Sequence, residues 1–485
     1  MRAGAIGTRP GAMFVLLSFF SNTAFNFVIG LLLARFLGPD QYGRFALAVA
    51  IAVGVQTAAF DWARVAAVRF YSQRVADEEP KLRSTIDAAL AAVVSVVVAG
   101  ALLVVVSGVA LPLSRLLIGL AVATAVVNGA FDYWTALIRA RFLDRAYAQL
   151  ILSKNLLSAV ITLGGALYFG SAAMAMLGLC LSMVGGSFTI RRALWHRSGS
   201  VRLVDVKLVR TLLRYAVPVV MANILYQTIP LADRLLIAHA QGFAASGQFS
   251  LAYDIGARVI SAVGSALDVL LFQIAVRADE MHGAPHARQQ IGRNIGIVFA
   301  VLLPACVGLW LVMPSFEQVV VPPEFRGPFA LYLRLLLPGL FCYGMIFFAV
   351  QPLFQIGKRT APLIAVAAVA SLANLMLPAL LPGAADAAFY AKIQAGVLGL
   401  ALVLLGTWAM AVGPVWPRRR DLVACLTATA TMIVACRALP DGDPGAATLT
   451  FQVLAGVAAY LAVAYGTDLC GLRTQLRPRN LARHA

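Results

Sequence analysis

Apolar runs of about 20 residues recur along the whole chain, each nearly free of charge and bounded by charged or Pro/Gly-rich breaks. Coiled as an α-helix, a run of that length crosses a hydrocarbon layer of ~30 Å. The chain is therefore read as an all-α polytopic membrane protein. Composition agrees: 61% of the 485 residues are hydrophobic and 12% are charged, whereas soluble domains hold roughly 25% charged residues. A water-soluble enzyme of this length is excluded.

The runs number fourteen, at 13–34, 43–63, 85–107, 114–138, 149–169, 171–190, 214–237, 247–270, 294–313, 329–352, 361–381, 387–411, 421–438 and 447–468. With both termini placed inside, thirty of the 39 Lys and Arg fall in inner segments, Arg64, Lys154 and Lys358 among them. Five fall in outer segments (Arg35, Arg44, Arg115, Arg326, Arg437) and four within spans (Arg234, Arg258, Arg334, Lys392). Such an asymmetry is what the positive-inside rule requires. Most of the net charge of +18 is then topological, and no nucleic-acid partner is implied. The first run follows Arg2 and Arg9 but lacks a small-residue cleavage site, so it reads as an uncleaved first helix. The six cysteines sit in or at the ends of apolar runs without CxxC spacing; they read as small core residues.

A repeat organises these spans. Residues 31–48, LLLARFLGPDQYGRFALA, align without a gap on 235–252, LLIAHAQGFAASGQFSLA, at an offset of 204 residues. Leu and Ala identities are common in such chains, so the weight rests on the pairs Gly38/Gly242, Gly43/Gly247 and Phe45/Phe249. Both glycine pairs are expected in the loop between two spans, where a turn needs backbone freedom. Six spans separate the copies, and an even number keeps their orientation, which makes this a parallel repeat about an axis normal to the membrane. The expected architecture is two six-helix lobes plus two further helices: 1–205, including a basic inner linker at about 191–214; 206–412; and 413–485. Transporters built this way bind substrate between lobes and alternate access.

An ionisable group in a span costs roughly 2.5 to 3.5 kcal/mol at the helix centre, which makes each a functional candidate. Arg35 ends the first span, Asp61 and Arg64 close the second one turn apart, and Asp132 lies within the fourth. Asp233 and Arg234 are adjacent in the seventh span, where the repeat has Ile29 and Gly30. Asp254 and Arg258 stand four apart in the eighth, on one helical face. Arg334 and Lys392 lie near outer ends, where long side chains snorkel. Together Arg35, Arg64, Arg234, Arg258, Arg334 and Lys392 are the candidates to line a cationic cavity. Arginine suits a phosphate or pyrophosphate because its fork donates two hydrogen bonds at once. Asp61, Asp132 and Asp254 are the candidates for ion coupling. The chain carries no GxxxxGK[ST], HExxH or GxSxG, and its longest outer loop, about 314–328, is too short for a catalytic domain. Neither an enzyme, a metal nor a cofactor is expected.

The run from Leu33 to Gly43, Leu-Ala-Arg-Phe-Leu-Gly-Pro-Asp-Gln-Tyr-Gly, resembles the ARxLGPxxYG signature of the polysaccharide transporter family. Asp233-Arg234-Leu235-Leu236-Ile237 with Gly247-Gln248-Phe249-Ser250-Leu251-Ala252-Tyr253 resembles that family's seventh-to-eighth helix segment. The family belongs to the multidrug/oligosaccharidyl-lipid/polysaccharide exporter superfamily and includes Wzx-type O-antigen and exopolysaccharide flippases. The resemblance implies a flippase of the bacterial inner membrane that moves undecaprenyl-pyrophosphate-linked oligosaccharide to the periplasmic leaflet. It implies membrane lipids, a polysaccharide polymerase and chain-length proteins as partners, and Arg35 and Arg258 as cavity residues. The energy source would be membrane potential or an ion gradient. The alternatives are a multidrug exporter of the same superfamily, whose cavity should be acidic and aromatic, and a polytopic glycan ligase or polymerase, which should carry a long outer loop. Within the repeat, His239 stands where the first copy has Arg35, and Phe243 where it has Pro39.

Overall fold

Gly38 and Gly242 decide where two long helices break. In the computed structural model, α1 (Pro10–Phe70) is interrupted once, at Gly38 with φ 66° and ψ 173°. Helix α7 (Val206–His282) is interrupted at Gly242 with φ 86° and ψ 171°. That backbone region is open to glycine almost alone, and the same conformation recurs 204 residues on, so the sequence repeat is also a repeat of geometry. Pro39, with its fixed φ, suits the first turn of the helix that follows Gly38. Phe243 takes that place in the second copy and the break is alike, so the glycine sets it.

Gly43 and Gly247 have a different task from the expected turn. Both lie inside helix, five residues past the breaks, and each is pressed against the other repeat. A Cβ on Gly43 would sit 2.0 Å from the Phe243 carbonyl oxygen and 2.9 Å from the Gly247 nitrogen. One on Gly247 would sit 2.1 Å from the Pro39 carbonyl oxygen and 2.9 Å from the Gly43 nitrogen. The contact is reciprocal, as a two-fold relation between the hairpins demands.

The structure describes residues 10–71, 80–107, 112–141, 143–191, 204–357, 359–381, 386–412, 416–439 and 442–473. Arg2, Arg9, half of the predicted basic linker (192–203), Lys358 and the tail beyond Arg473 lie outside them. Between α1 and α7 come α2 (Pro80–Val106), α3 (Arg115–Ala140), α4 (Asp144–Leu157), a π-helical turn (Ser158–Thr162), α5 (Leu163–Phe169) and α6 (Ala172–Thr189). After α7 come α8 (Ala284–Leu311), α9 (Met313–Val320), α10 (Pro328–Met345), a second π turn (Ile346–Val350), α11 (Gln351–Ile356), α12 (Ala361–Leu380), α13 (Ala387–Val412), α14 (Arg419–Arg437) and α15 (Ala446–Gly466). No strand occurs among the described residues.

Each of the fourteen predicted runs falls on helix once α1 and α7 are each counted as two segments. Among the described residues, eleven helices are long and apolar enough to cross a membrane, the broken pair counting once each. The predicted span 421–438 is not among them. Its helix, α14, is 19 residues long and carries Arg419, Arg420 and Asp421 at one end and Arg437 at the other; arginines at helix ends snorkel to the interface, so these end charges set it apart from the other spans. The chain is an all-α, multi-pass membrane protein.

It divides into two compact units, Met1–Ser250 and Leu251–Ala485. In the first, small residues of α1 (Ala63, Ala66, Ala67) pack with Phe60, Trp62, Tyr133 and Leu137, and with Leu212, Ala216 and Val220 of α7. Gly129 of α3 would place a Cβ 2.5 Å from that of Phe60, so α3 lies against the α1 backbone. In the second unit, Ala300 packs with Ala424, Cys425, Ala464 and Leu469. Gly339 of α10 brings that helix onto Ala395 of α13, where a Cβ would sit 2.7 Å from the Ala395 Cα. The six cysteines are free thiols. Outward faces of the helices are apolar, with Leu103, Val106, Phe169, Leu372, Val403, Phe451 and Leu461 all exposed; a lipid surround covers such surface at no cost.

Candidate functional site

The close approach of α3 to α1 at Gly129 has a polar counterpart one turn on. Asp132 accepts a hydrogen bond from Gln56 Nε2 at 3.1 Å. Five and eight residues beyond Gln56, on the same segment of α1, Asp61 and Arg64 form a two-pronged ion pair. Arg64 donates from Nε to Oδ1 at 2.6 Å and from Nη2 to Oδ2 at 2.9 Å. Asp61 is buried, while the Arg64 side chain is 42% exposed. Asp132 lies within electrostatic reach of Arg64, of Asp61 and of Lys154.

Lys154 is the member that sequence reasoning missed. The charge count places it among the inner basic residues, yet it is only 9% exposed and stands ten residues into α4, about 15 Å along the helix at 1.5 Å per residue. Gly186 of α6 would place a Cβ 2.9 Å from the Lys154 Cβ, so α6 closes over the base of the side chain. Its Nζ donates to Asn26 Oδ1 at 3.4 Å. Its position inside the apolar run 149–169 is the sequence signal of burial; a single lysine near the end of a run is otherwise indistinguishable from one in the loop.

Four side chains of opposite charge, Asp61 and Asp132 against Arg64 and Lys154, thus lie within an apolar helix bundle with amides of Gln56 and Asn26 as hydrogen-bond partners. Charges persist in such surroundings only when paired and hydrogen-bonded. A second network lies beside it: Tyr133, fully buried, donates to Asp87 Oδ1 at 2.8 Å, and Arg83 lies 3.5 Å from the other oxygen of Asp87.

The remaining candidates divide by surroundings. Arg234 is 4% exposed; its Nη1 donates to the Ala46 carbonyl at 3.1 Å, and Ser246 Oγ donates to the Arg234 carbonyl at 3.0 Å. The arginine therefore ties one repeat hairpin to the other and lies buried. Asp233 beside it is fully buried. Arg35 is exposed. In the second unit, Asp254 and Arg258 are half-buried on α7, and Lys392 is exposed on α13. Arg334 is exposed on α10, with its guanidinium carbon 5.6 Å from the centre of the Trp310 ring. The first unit brings Asp61, Arg64 and Asp132 together; in it Arg35 is exposed and Arg234 buried.

Residues 9–271 match the family described as polysaccharide biosynthesis protein, more than half of the chain. Among solved structures, the lipid II flippase MurJ in an inward closed conformation superposes with a TM-score of 0.70 at 13% identity, covering 96% of this chain and 100% of that one. A multidrug resistance MATE family transporter of the MOP superfamily superposes less completely. Its outward-facing form gives a TM-score of 0.55 at 15% identity over 82% of this chain and 93% of that one. The inward-facing form gives 0.53 at 14% over 80% and 94%. No protein of curated function matches the sequence. The fold is thus shared with membrane transporters, and the chain belongs to the polysaccharide biosynthesis protein family.

Proposed function

We propose that the protein is a flippase for undecaprenyl-pyrophosphate-linked oligosaccharide, an O-antigen or exopolysaccharide repeat unit, moving it from the cytoplasmic to the periplasmic leaflet of the inner membrane. The observation that carries this reading is the pairing of a polysaccharide-biosynthesis sequence family with a backbone that matches a lipid flippase over 96% of its length. The MATE transporters account for less of the chain, which weighs against drug export. The lobes 1–205 and 206–412 alternate access, with both termini in the cytoplasm. Arg35 and Arg258 contact the pyrophosphate, and Arg334 and Lys392 attract the anion from farther out. No covalent step and no cofactor is needed. Membrane potential or an ion gradient supplies the energy, with Asp132 and Asp61 the leading ion carriers and Asp254 a third. A polymerase and chain-length proteins would take up the product.

Leaflet-resolved detection of the lipid-linked oligosaccharide, with a reagent confined to the periplasm, tests the reading. Loss of the protein should trap the oligosaccharide on the cytoplasmic side; unchanged arrival in the periplasm would refute transport of this substrate. In the same assay Arg35→Ala and Arg258→Ala should each lower export at least tenfold at unchanged protein level, while Arg359→Ala on the inner turn leaves it intact. Equal losses from all three would remove the pyrophosphate role.

Orientation has its own check. In a background whose six native cysteines are replaced, a cysteine in place of Gln241, beside the break in α7, should react with an impermeant maleimide from outside. One in place of Met281, 74% exposed at the far end of α7, should react only after permeabilisation. The reverse pattern would invert the topology.

A further inference from the structure

Helix α8 starts before its apolar run does. The run begins near residue 294, while α8 begins at Ala284, so its first two to three turns, at 3.6 residues each, project beyond the span on the side that the arginine count assigns to the cytoplasm. Those turns, with the segment leading into α14, enclose a cavity of about 600 Å³ lined by Arg288, Arg293, Arg418, His286, Gln289 and Trp416 among others. The three arginines are exposed, and the described residues that line the space include no carboxylate. Asp421, on the first turn of α14, instead accepts the Cys470 amide at 3.3 Å.

Trp416 is shared with a second cavity of about 510 Å³. That one is almost wholly apolar: Phe299 of α8, Phe341 and Met345 of α10, Leu402 and Gly406 of α13, and Leu426 of α14 contribute to its wall. A Cβ on Gly406 would meet no atom within 4 Å, so the slot is open at that point. Both cavities lie within the second unit, and Trp416, 68% exposed, stands between them. An aromatic of this kind is favoured at the level of lipid headgroups.

From this juxtaposition of a cationic pocket and an apolar slot on either side of Trp416, we infer that the second unit holds an anionic phospholipid of the inner leaflet, its phosphate among Arg288, Arg293 and Arg418 and one acyl chain in the slot. Basic pockets between helices on the cytoplasmic side suit anionic headgroups, and the arginine fork suits phosphate. Neither chemistry alone explains the pair: free phosphate has no use for the slot, and a neutral lipid has none for the arginines. The site uses none of the residues assigned to transport, so it stands or falls separately from the flippase reading.

The test uses the purified full chain in neutral detergent, titrated with phosphatidylglycerol or phosphatidylcholine carrying brominated chains. The readout is the quenching lost on Trp416→Phe. Phosphatidylglycerol should half-saturate at a concentration at least tenfold below that of phosphatidylcholine. Removing all three cations with Arg288→Ala, Arg293→Ala and Arg418→Ala should abolish the difference. Gly406→Leu, which fills the slot, should weaken phosphatidylglycerol at least fivefold while melting at the wild-type temperature. Equal quenching by the two lipids, a preference that survives removal of the arginines, or displacement of phosphatidylglycerol by inorganic phosphate with Gly406→Leu silent would each overturn the proposal. The last of these would identify a free-anion site.

Discussion

Gly43→Ala is expected to lower the melting temperature of the detergent-solubilised protein by several degrees, and Gly247→Leu to leave little folded material on size exclusion. At both positions the atoms that an added Cβ would meet belong to backbone: the Phe243 carbonyl oxygen at 2.0 Å in one case and the Pro39 carbonyl oxygen at 2.1 Å in the other. No side-chain rotation relieves such contacts, so the two hairpins must separate. Overpacking typically costs about 1 to 3 kcal/mol, a large share of a net stability on the order of 5 to 15 kcal/mol, and a leucine on this contact exceeds the usual case. Gly100→Ala is the control. That glycine lies in α2 with open space around it, and a helical Gly→Ala change there stabilises by roughly 0.5 to 1 kcal/mol. If Gly43→Ala melts with the wild type, the close approach of the hairpins is not part of the stable fold.

Lys154→Ala should destabilise the protein by about 3 kcal/mol. The substitution leaves Asp61 and Asp132 with Arg64 as the single cation within electrostatic reach, and an uncompensated buried charge commonly costs about 3 to 5 kcal/mol. The Arg64 side chain is 42% exposed, so solvent softens the imbalance and the lower end is expected. Lys154→Met combined with Asp132→Leu should recover most of the loss, because replacing buried opposite charges together by apolar side chains is often neutral or stabilising. Thermal melting of the two single variants and the double gives the coupling. Export separates structure from function. A double variant that is stable but no longer transports assigns Asp132 a part in the transport cycle; one that transports at the wild-type rate makes the cluster a structural lock.

Helix positions were legible because crossing a membrane imposes a length and an absence of charge, and both can be read along the chain. The breaks at Gly38 and Gly242 were legible too, since a positive φ restricts the residue type and the same restriction recurs at the repeat offset. The role of Gly43 and Gly247 was not, because a close approach between helices leaves the same glycine in the sequence as a turn does. Lys154 illustrates the same limit for charge: distance from a helix end is visible along the chain, but the neighbours that bury a side chain, here Gly186 and Asn26, are 32 and 128 residues away. The extension of α8 ahead of its apolar run is hidden for a simpler reason, since polar helix outside the membrane carries no hydropathy signal.

The reciprocal contact of Gly43 with Gly247 is self-complementary in the manner of an isologous dimer interface. A surface that fits its own repeat also fits the same surface on another molecule, so two chains emerging side by side into the membrane can exchange hairpins and form a swapped dimer. What favours the correct partner is covalent attachment, which holds the second copy near the first at an effective concentration that separate molecules reach only when crowded. Expression level is therefore expected to enter the folding of this protein directly: if overproduction raises the competing intermolecular concentration enough, a larger share of the material should elute from size exclusion as intertwined species.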